Sequence, residues 1–209
     1  MFPPFVALVF FSLILFGCAQ KQEEAGQPAA EKKAEPQATE KAGGEEVAVI
    51  ETDFGQIVFK FYEKEAPQHT ANFKKLAREG FYDGCTFHRV IPNFMIQGGD
   101  PLSKDDNRSN DGTGGPGYTV PAEMGVKHTR GSVAAARRGD QVNPEKASSG
   151  SQFYICVVDL PNLDAAGYSV FGQVIEGMDV ADKIVNVQRD QRDNPLQKVV
   201  MKKVSIKSQ

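Results

Sequence analysis

Short β-strand patterns separated by glycine and proline fill residues 47–206, and they restrict the fold more than any other feature of the chain. Many short strands with this punctuation are typical of a β-sandwich or a closed β-barrel. We therefore predict an all-β fold with about eight strands. The predicted strands are 47–52, 56–62, 86–91, 94–97, 131–136, 153–158, 170–174 and 198–206.

Two segments, 66–80 and 178–187, break the strand pattern because their apolar residues recur at helical spacing. The first is predicted to start at a cap formed by Thr70 or His69 and to stop at Gly80. Two helices beside a set of short strands suit a barrel whose open ends need plugs.

The strongest functional signal is the run TFHRVIPNFMIQGGD at 86–100. It predicts two short strands joined by a tight turn and ended by a Gly-Gly break. Arg89 then projects from a strand near apolar Phe94 and Met95, with the neutral amide of Gln97 close by. Because a guanidinium is a rigid fork of donors that stays protonated, this arrangement suits holding an amide of an apolar peptide. It does not suit acid–base chemistry.

This run resembles the central hairpin of the cyclophilins, the barrel-type peptidyl-prolyl isomerases, and further segments resemble the same family in the same order. The resemblance implies an eight-stranded antiparallel closed barrel capped by two α-helices. It also implies peptidyl-prolyl cis-trans isomerase activity on X–Pro bonds in peptides and folding proteins. The further segments are GTGGPGY at 112–118, GSVAAAR at 131–137, SGSQFYI at 149–155, LD at 163–164 and VFG at 170–172.

The resemblance places the catalytic arginine of the family at Arg89. This residue is expected to donate a hydrogen bond to the proline nitrogen in the twisted transition state. Gln97 and Gln152 match the polar groups that hold the substrate backbone, and Ala136 and Arg137 match the peptide-binding wall. The remaining matched positions form the pocket for the proline ring; they are Phe94, Met95, Tyr154 and Leu163, with Tyr168 where many relatives have histidine.

Two aromatic positions, Tyr154 and Tyr168, depart from the family pattern and bear on substrate preference more than on activity. Tyr154 replaces a phenylalanine, so its hydroxyl must reach a partner or water if the pocket is dry. The implied reaction needs no nucleophile, and neither a metal nor another cofactor is expected. A non-catalytic proline-binding or chaperone-like module is the alternative, because the same groove could hold a peptide without turnover.

The N-terminal segment predicts where the protein works. The sixteen residues at 2–17 are almost wholly apolar, and they fall short of the roughly 20 needed to span a bilayer as a helix. LFGC at 15–18 resembles the lipobox of bacterial lipoproteins, which implies a signal peptide at 1–17 and acylation of Cys18. Ala19 resembles an outer-membrane sorting signal. The expected location is the cell envelope, facing the periplasm; an ordinary signal peptide or a short uncleaved anchor is the alternative.

Residues 18–46 are predicted to be the lipidated cysteine and a disordered tether, since 19–46 contains no large apolar residue. The tether carries four Lys and seven Glu, which leaves 20 basic and 20 acidic residues in the domain at 47–209. A neutral domain gives no electrostatic case for binding nucleic acid or an anionic membrane. The expected partners are proline-containing peptides and unfolded proteins, with membrane contact through the lipid anchor only, and the protein is expected to be a monomer.

Two cysteines and one insertion leave alternatives open. Cys85 and Cys156 are expected to be free and buried, although in an oxidising compartment they could pair. The insertion at 102–111, LSKDDNRSND, is predicted to be a solvated, turn-rich loop. A Ca²⁺ site is the weaker alternative because the EF-hand spacing is absent. A role in substrate access is a further possibility.

Overall fold

Nine antiparallel strands form one curled sheet in residues 44–209, the part of the chain that this computed structural model describes. The strands are β1 (Glu46–Thr52), β2 (Gly55–Phe61), β3 (Phe87–Ile91), β4 (Met95–Gly98), β5 (Thr119–Val120), β6 (Ser132–Arg137), β7 (Ser148–Cys156), β8 (Val170–Glu176) and β9 (Lys203–Ser208). Eight of them follow one another in the order β3-β4-β7-β6-β8-β2-β1-β9, and β5 pairs with β7. The prediction of an all-β, antiparallel fold is confirmed.

Eight of the nine strands follow one another in a half-barrel, so the prediction of a closed barrel is wrong. At the seam, Thr86 just before β3 and Val200 just before β9 form an isolated bridge. The backbone N–H of Lys202 already donates to the Glu51 carbonyl of β1 at 2.8 Å. Because this C-terminal segment passes from the β3 side to β1 within a few residues, a continuous ladder does not form across the seam.

The predicted strands are all represented, and the errors lie at their ends. β7 begins at Ser148 rather than at residue 153, and β9 begins at Lys203 rather than at residue 198. The short strand β5 was not predicted, because two residues are too few to show an alternating pattern.

Three α-helices accompany the sheet: α1 (Pro67–Arg78), α2 (Pro161–Ala166) and α3 (Met178–Val185). The first and third confirm the two predicted helices, and α1 ends just before Gly80, whose φ is +71°. The predicted cap of α1 is wrong, since neither Thr70 nor His69 caps it. Instead the Glu123 carboxylate accepts the backbone N–H groups of Gln68 and His69, each at 2.9 Å. A carboxylate at this position also interacts favourably with the helix dipole.

Aromatic side chains fill the inner face of the sheet and fix α1 there. The ring of Phe73 in α1 lies 5.2 Å from Phe59 and 5.4 Å from Phe153, both in edge-to-face geometry. Truncating such a buried side chain to alanine typically costs about 3–5 kcal/mol. Since side chains alternate along each strand, the neighbouring residues face outward, and the outer face of β4, β7 and β6 carries the candidate site.

Cys85 and Cys156 are both buried and neither forms a disulfide. Burial raises the pKa of Cys85 to about 11 and that of Cys156 to about 12. Both thiols are therefore protonated at neutral pH and behave as small apolar side chains.

The N-terminal predictions fall largely outside the described residues. They concern the signal peptide at 1–17, Cys18 and most of the tether at 18–46. Within residues 44–209, none of the helices combines the length and the apolar character needed to cross a membrane.

Candidate active site

A β-bulge in β3 turns Arg89 toward the outer face of the sheet. Phe87 and Val90 both pack in the core, although they are three residues apart, because the strand register shifts between Phe87 and Arg89. Bulges commonly redirect a side chain in this way beside active sites. Arg89 lies opposite Gln97 of β4 and is partly exposed.

A directed chain of side-chain amides orients the Arg89 guanidinium. Arg89 Nη1 donates to Gln97 Oε1 at 3.4 Å, and Gln97 Nε2 donates to Gln152 Oε1 at 3.0 Å. Gln152 Nε2 in turn donates to the carbonyls of Gly112 and Gly114 at 2.9 and 2.8 Å. Each amide thus has its direction set by the next, and Arg89 keeps further N–H groups for a ligand.

Asp100 shapes the glycine-rich loop whose carbonyls accept the last hydrogen bonds of this row of amides. Asp100 was not among the predicted site residues. Its completely buried carboxylate accepts the backbone N–H groups of Leu102, Gly112 and Gly114 at 2.7, 2.5 and 3.1 Å. A Cβ at Gly114 would lie 2.2 Å from Asp100 Oδ1, so this close approach requires glycine. The signal was available in the sequence, because an aspartate directly after Gly98-Gly99 is suited to cap a turn.

A cavity of about 180 Å³ with both apolar and polar walls opens beside Arg89 and Gln97 on the outer face. All four predicted pocket residues line it, so residues far apart in the sequence meet as the resemblance implied. The lining residues are Arg89, Phe94, Met95, Gln97, Ala136, Arg137, Tyr154, Leu163 and Tyr168. Of the predicted site residues in the described part of the chain, only Gln152 does not line the cavity, and it lies behind Gln97.

Arg137 forms part of the cavity wall through stacking. Its guanidinium carbon lies 4.5 Å from the centre of the Tyr168 ring, and Nη2 donates to the Ala166 carbonyl at 2.6 Å. Its side chain is only 3% exposed and is also paired with Asp140. Arg137 therefore holds Tyr168 and the end of α2 against the cavity.

The Tyr154 hydroxyl at the cavity floor reaches the partner that the sequence analysis required. His128 Nε2 lies 3.0 Å from this hydroxyl, and His128 Nδ1 lies 2.7 Å from Asp164 Oδ1. Since a carboxylate accepts, Nδ1–H donates to Asp164, and Nε2 accepts the tyrosine proton. Burial alone would raise the pKa of Asp164, but the side-chain and backbone N–H groups of His128 hold it below its usual range. Neither His128 nor Asp164 was predicted.

The insertion at 102–111 is tied to the C-terminal part of the domain. Lys198 Nζ donates to Asp106 Oδ1 at 2.8 Å, and Arg108 Nη2 donates to Asn194 Oδ1 at 2.8 Å. Within residues 44–209, no three His, Cys, Asp or Glu side chains are grouped so as to hold a metal ion. The insertion is thus anchored through Asp106 and Arg108, while most of its residues are exposed and lie in turns, as predicted.

The chemistry of the site is that of holding and polarising an amide. The described residues lining the cavity include no carboxylate, serine or cysteine; they supply fixed N–H donors beside an apolar space. Such a site binds an apolar ring and stabilises an electron pair that develops next to it.

Comparisons with known proteins point in the same direction. The family model described as cyclophilin type peptidyl-prolyl cis-trans isomerase/CLD matches residues 47–206. The chain is similar to a peptidyl-prolyl cis-trans isomerase of Helicobacter pylori, with 44% identity over 142 residues, covering 66% of this chain and 78% of the relative. It is also similar to peptidyl-prolyl cis-trans isomerase B of Bacillus subtilis, with 44% identity over 137 residues, covering 64% and 86%.

The fold of this chain is also similar to that of solved structures. A crystal structure of a cyclophilin type peptidyl-prolyl cis-trans isomerase from Cryptosporidium parvum matches with a TM-score of 0.69 and 29% identity, covering 79% of this chain and 99% of that one. The same protein, crystallised in the presence of the dipeptide Ala-Pro, matches with the same TM-score and identity and covers 78% and 99%.

Proposed function

This chain belongs to the family of cyclophilin-type peptidyl-prolyl cis-trans isomerases, and we propose that it accelerates X–Pro rotation by a hydrogen bond from Arg89 to the proline nitrogen. The isomerase activity itself follows from the family and from relatives of that name at 40–44% identity. The observation that carries the proposed mechanism is the position of Arg89, which donates to Gln97 at the mouth of the cavity.

The reaction needs a hydrogen-bond donor that acts in the transition state more than in the ground state. Rotation about an X–Pro bond breaks the partial double bond of the amide and meets a barrier of about 18–20 kcal/mol. In the twisted transition state the nitrogen becomes pyramidal and regains a lone pair. A donor aimed at that nitrogen stabilises the transition state more than the planar ground state, which is the condition for catalysis.

We assign the lowering of the barrier to two parts of the site: Arg89 donates the hydrogen bond, and the cavity residues hold the proline ring. Shortening a rotation from tens of seconds to about a millisecond requires about 6 kcal/mol. Removing one preorganised donor from comparable sites costs about 3–4 kcal/mol. The cavity supplies the rest by holding the ring still between Phe94, Met95, Tyr154 and Leu163, while the acyl side of the bond rotates.

The substrates we propose are proline-containing segments of peptides and unfolded proteins, bound by a monomer. The relative crystallised in the presence of Ala-Pro supports this substrate class. The test is a protease-coupled isomerisation assay with the full chain and a prolyl peptide. Acceleration above the uncatalysed rate is expected. Peptide binding with no acceleration would instead support a non-catalytic proline-binding module.

The same protein is proposed to work from a membrane surface, held by acyl chains on Cys18. The lipobox-like LFGC at 15–18 and the polar segment after it support this location in the cell envelope, facing the periplasm and anchored in the outer membrane. Mass spectrometry of the mature protein should find an acylated Cys18 at the N-terminus, and Cys18→Ser should leave an uncleaved or mislocalised precursor. A soluble, unacylated wild-type species cleaved elsewhere would contradict the proposal.

A further inference from the structure

A second cavity, of about 210 Å³, adjoins the proline pocket. Arg89 and Gln97 line both cavities, so a peptide in the proline pocket also reaches the mouth of the second one. Its other walls come from His88, from the insertion at 102–111 and from the loop before β9. We refer to this space as the arginine cavity.

Hydrogen bonds between two segments far apart in sequence build the outer wall of the arginine cavity. Arg108 Nη2 donates to the carbonyl of Pro195 at 2.7 Å, and Arg192 Nη2 donates to the carbonyl of Arg108 at 2.7 Å. Asn194 Nδ2 donates to Asp111 Oδ2 at 2.6 Å. The cavity is therefore preformed, which lowers the entropy cost of filling it.

The charges that line the arginine cavity favour an anion. Three guanidinium groups, those of Arg89, Arg108 and Arg192, face one carboxylate, that of Asp111. Asp190 lies 3.5 Å from Arg108 and offsets part of the charge of both Arg108 and Arg192 from outside the lining. Among the ion pairs of residues 44–209, Arg192 has no partner, so it keeps capacity for an incoming carboxylate, whereas Arg89 serves the neighbouring proline pocket.

A buried, neutral histidine forms part of the floor of the arginine cavity. His88 is 4% exposed and lines the cavity, yet neither of its ring nitrogens has a hydrogen-bond partner among the described residues. Burial lowers the pKa of His88, so its ring is neutral. Because neither ring nitrogen is open to the cavity, His88 supplies part of its floor, and the guanidinium groups are the donors available to a ligand.

We propose that the arginine cavity is a specificity subsite for an acidic side chain, Asp or Glu, of the substrate near its proline. The proposal rests on the proposed function of the neighbouring pocket. Because consecutive Cα atoms are about 3.8 Å apart, a cavity that shares Arg89 and Gln97 with the proline pocket suits a residue within about three positions of the proline.

The test compares paired prolyl peptides that carry Glu or Gln at one position, moved in turn through the residues on either side of the proline. The full chain is assayed for KM and kcat. At one position, or at two neighbouring positions, the Glu peptide should have a KM about three- to tenfold lower than the Gln peptide. Since the contact is remote from the rotating bond, kcat should change little. Equal KM values at every position would overturn the proposal.

Two substitutions with opposite expected effects place the preference in the cavity. Arg192→Gln should reduce the KM ratio between Gln and Glu peptides toward one, whereas Asp111→Asn should increase it because a competing carboxylate is removed. Lys202→Gln removes the same charge as Arg192→Gln from the surface near Asp53, outside the cavity, and should leave the ratio unchanged. Equal ratios in the Arg192 and Lys202 variants would overturn the assignment.

The outcome separates this inference from the proposed function. If the wild-type protein isomerises neither the Gln nor the Glu peptides, the proposed function fails. If it isomerises Gln and Glu peptides equally well, only the subsite is wrong. A real preference should also weaken as ionic strength rises, because the site is open to solvent.

Discussion

Tyr154→Phe should destabilise the protein, although the family resemblance leads one to expect phenylalanine at this position. The substitution keeps the ring and removes the hydroxyl that lies 3.0 Å from His128 Nε2. The His128 side chain is fully buried, so its Nε2 loses the hydroxyl from which it accepts a hydrogen bond. Leaving a buried polar atom unpaired costs about 1–3 kcal/mol. For a domain of this size, that lowers Tm by about 2–10 °C.

The measurement is urea and thermal unfolding of wild type and variant under the same conditions. Tyr168→Phe is the matched control, because it makes the same chemical change in the same cavity. The Tyr168 hydroxyl has no hydrogen bond to another described residue, so its loss should cost less than about 0.5 kcal/mol. A double-mutant cycle of Tyr154→Phe with His128→Ala should give a coupling energy of about 1 kcal/mol. Equal stability of Tyr154→Phe and wild type, or additive changes in the cycle, would refute the proposed pairing.

Two further predictions concern positioning and pH. Asp100→Asn should lower kcat/KM about tenfold or more, because one of three loop N–H groups loses its acceptor and the row of amides that orients Arg89 loosens. The control is Asp106→Asn, in the exposed part of the insertion at 102–111. Equal activity of the two variants would contradict the role of Asp100. Burial lowers the pKa of His69 and of His88 below the ordinary 6.5. Just below that pH, the unfolded chain therefore binds more protons than the folded protein. The free energy of unfolding should consequently fall as pH drops from 6.5 toward about 5. Urea unfolding across this range checks the sign, and a constant or rising stability would contradict it.

Short-range features of the fold were predictable from the sequence. The hairpin at 86–100 and the apolar run in β7 consist of neighbouring residues with strong strand propensity, which the sequence displays directly. The resemblance supplied the order of the segments, and the cavity residues met accordingly. α2 escaped prediction because six residues make less than two helical turns.

Contacts between distant segments were beyond such patterns. Glu123 caps α1, which lies 54 residues earlier in the chain. Arg108 hydrogen-bonds to Asn194 and Leu196, which lie more than 80 positions later. The open seam was also beyond the sequence patterns. They do not show that the C-terminal segment bridges to the residue before β3 and then pairs with β1. The arginine cavity exists only through these long-range contacts. The partner of Tyr154 was required by its hydroxyl, but its identity as His128 needed the fold.

The most direct test of the account is the isomerase activity of Arg89→Ala and Arg89→Lys beside Arg138→Ala, an exposed arginine that does not line the proline pocket. All three proteins should stay folded, as checked by circular dichroism. The account predicts that Arg89→Ala lowers kcat/KM by about 10²-fold or more, because the fixed donor to the proline nitrogen is lost. Arg89→Lys should recover little, since an ammonium lacks the planar fork that Gln97 orients, and Arg138→Ala should match the wild type. Near-normal turnover by a folded Arg89→Ala protein would contradict the proposed mechanism.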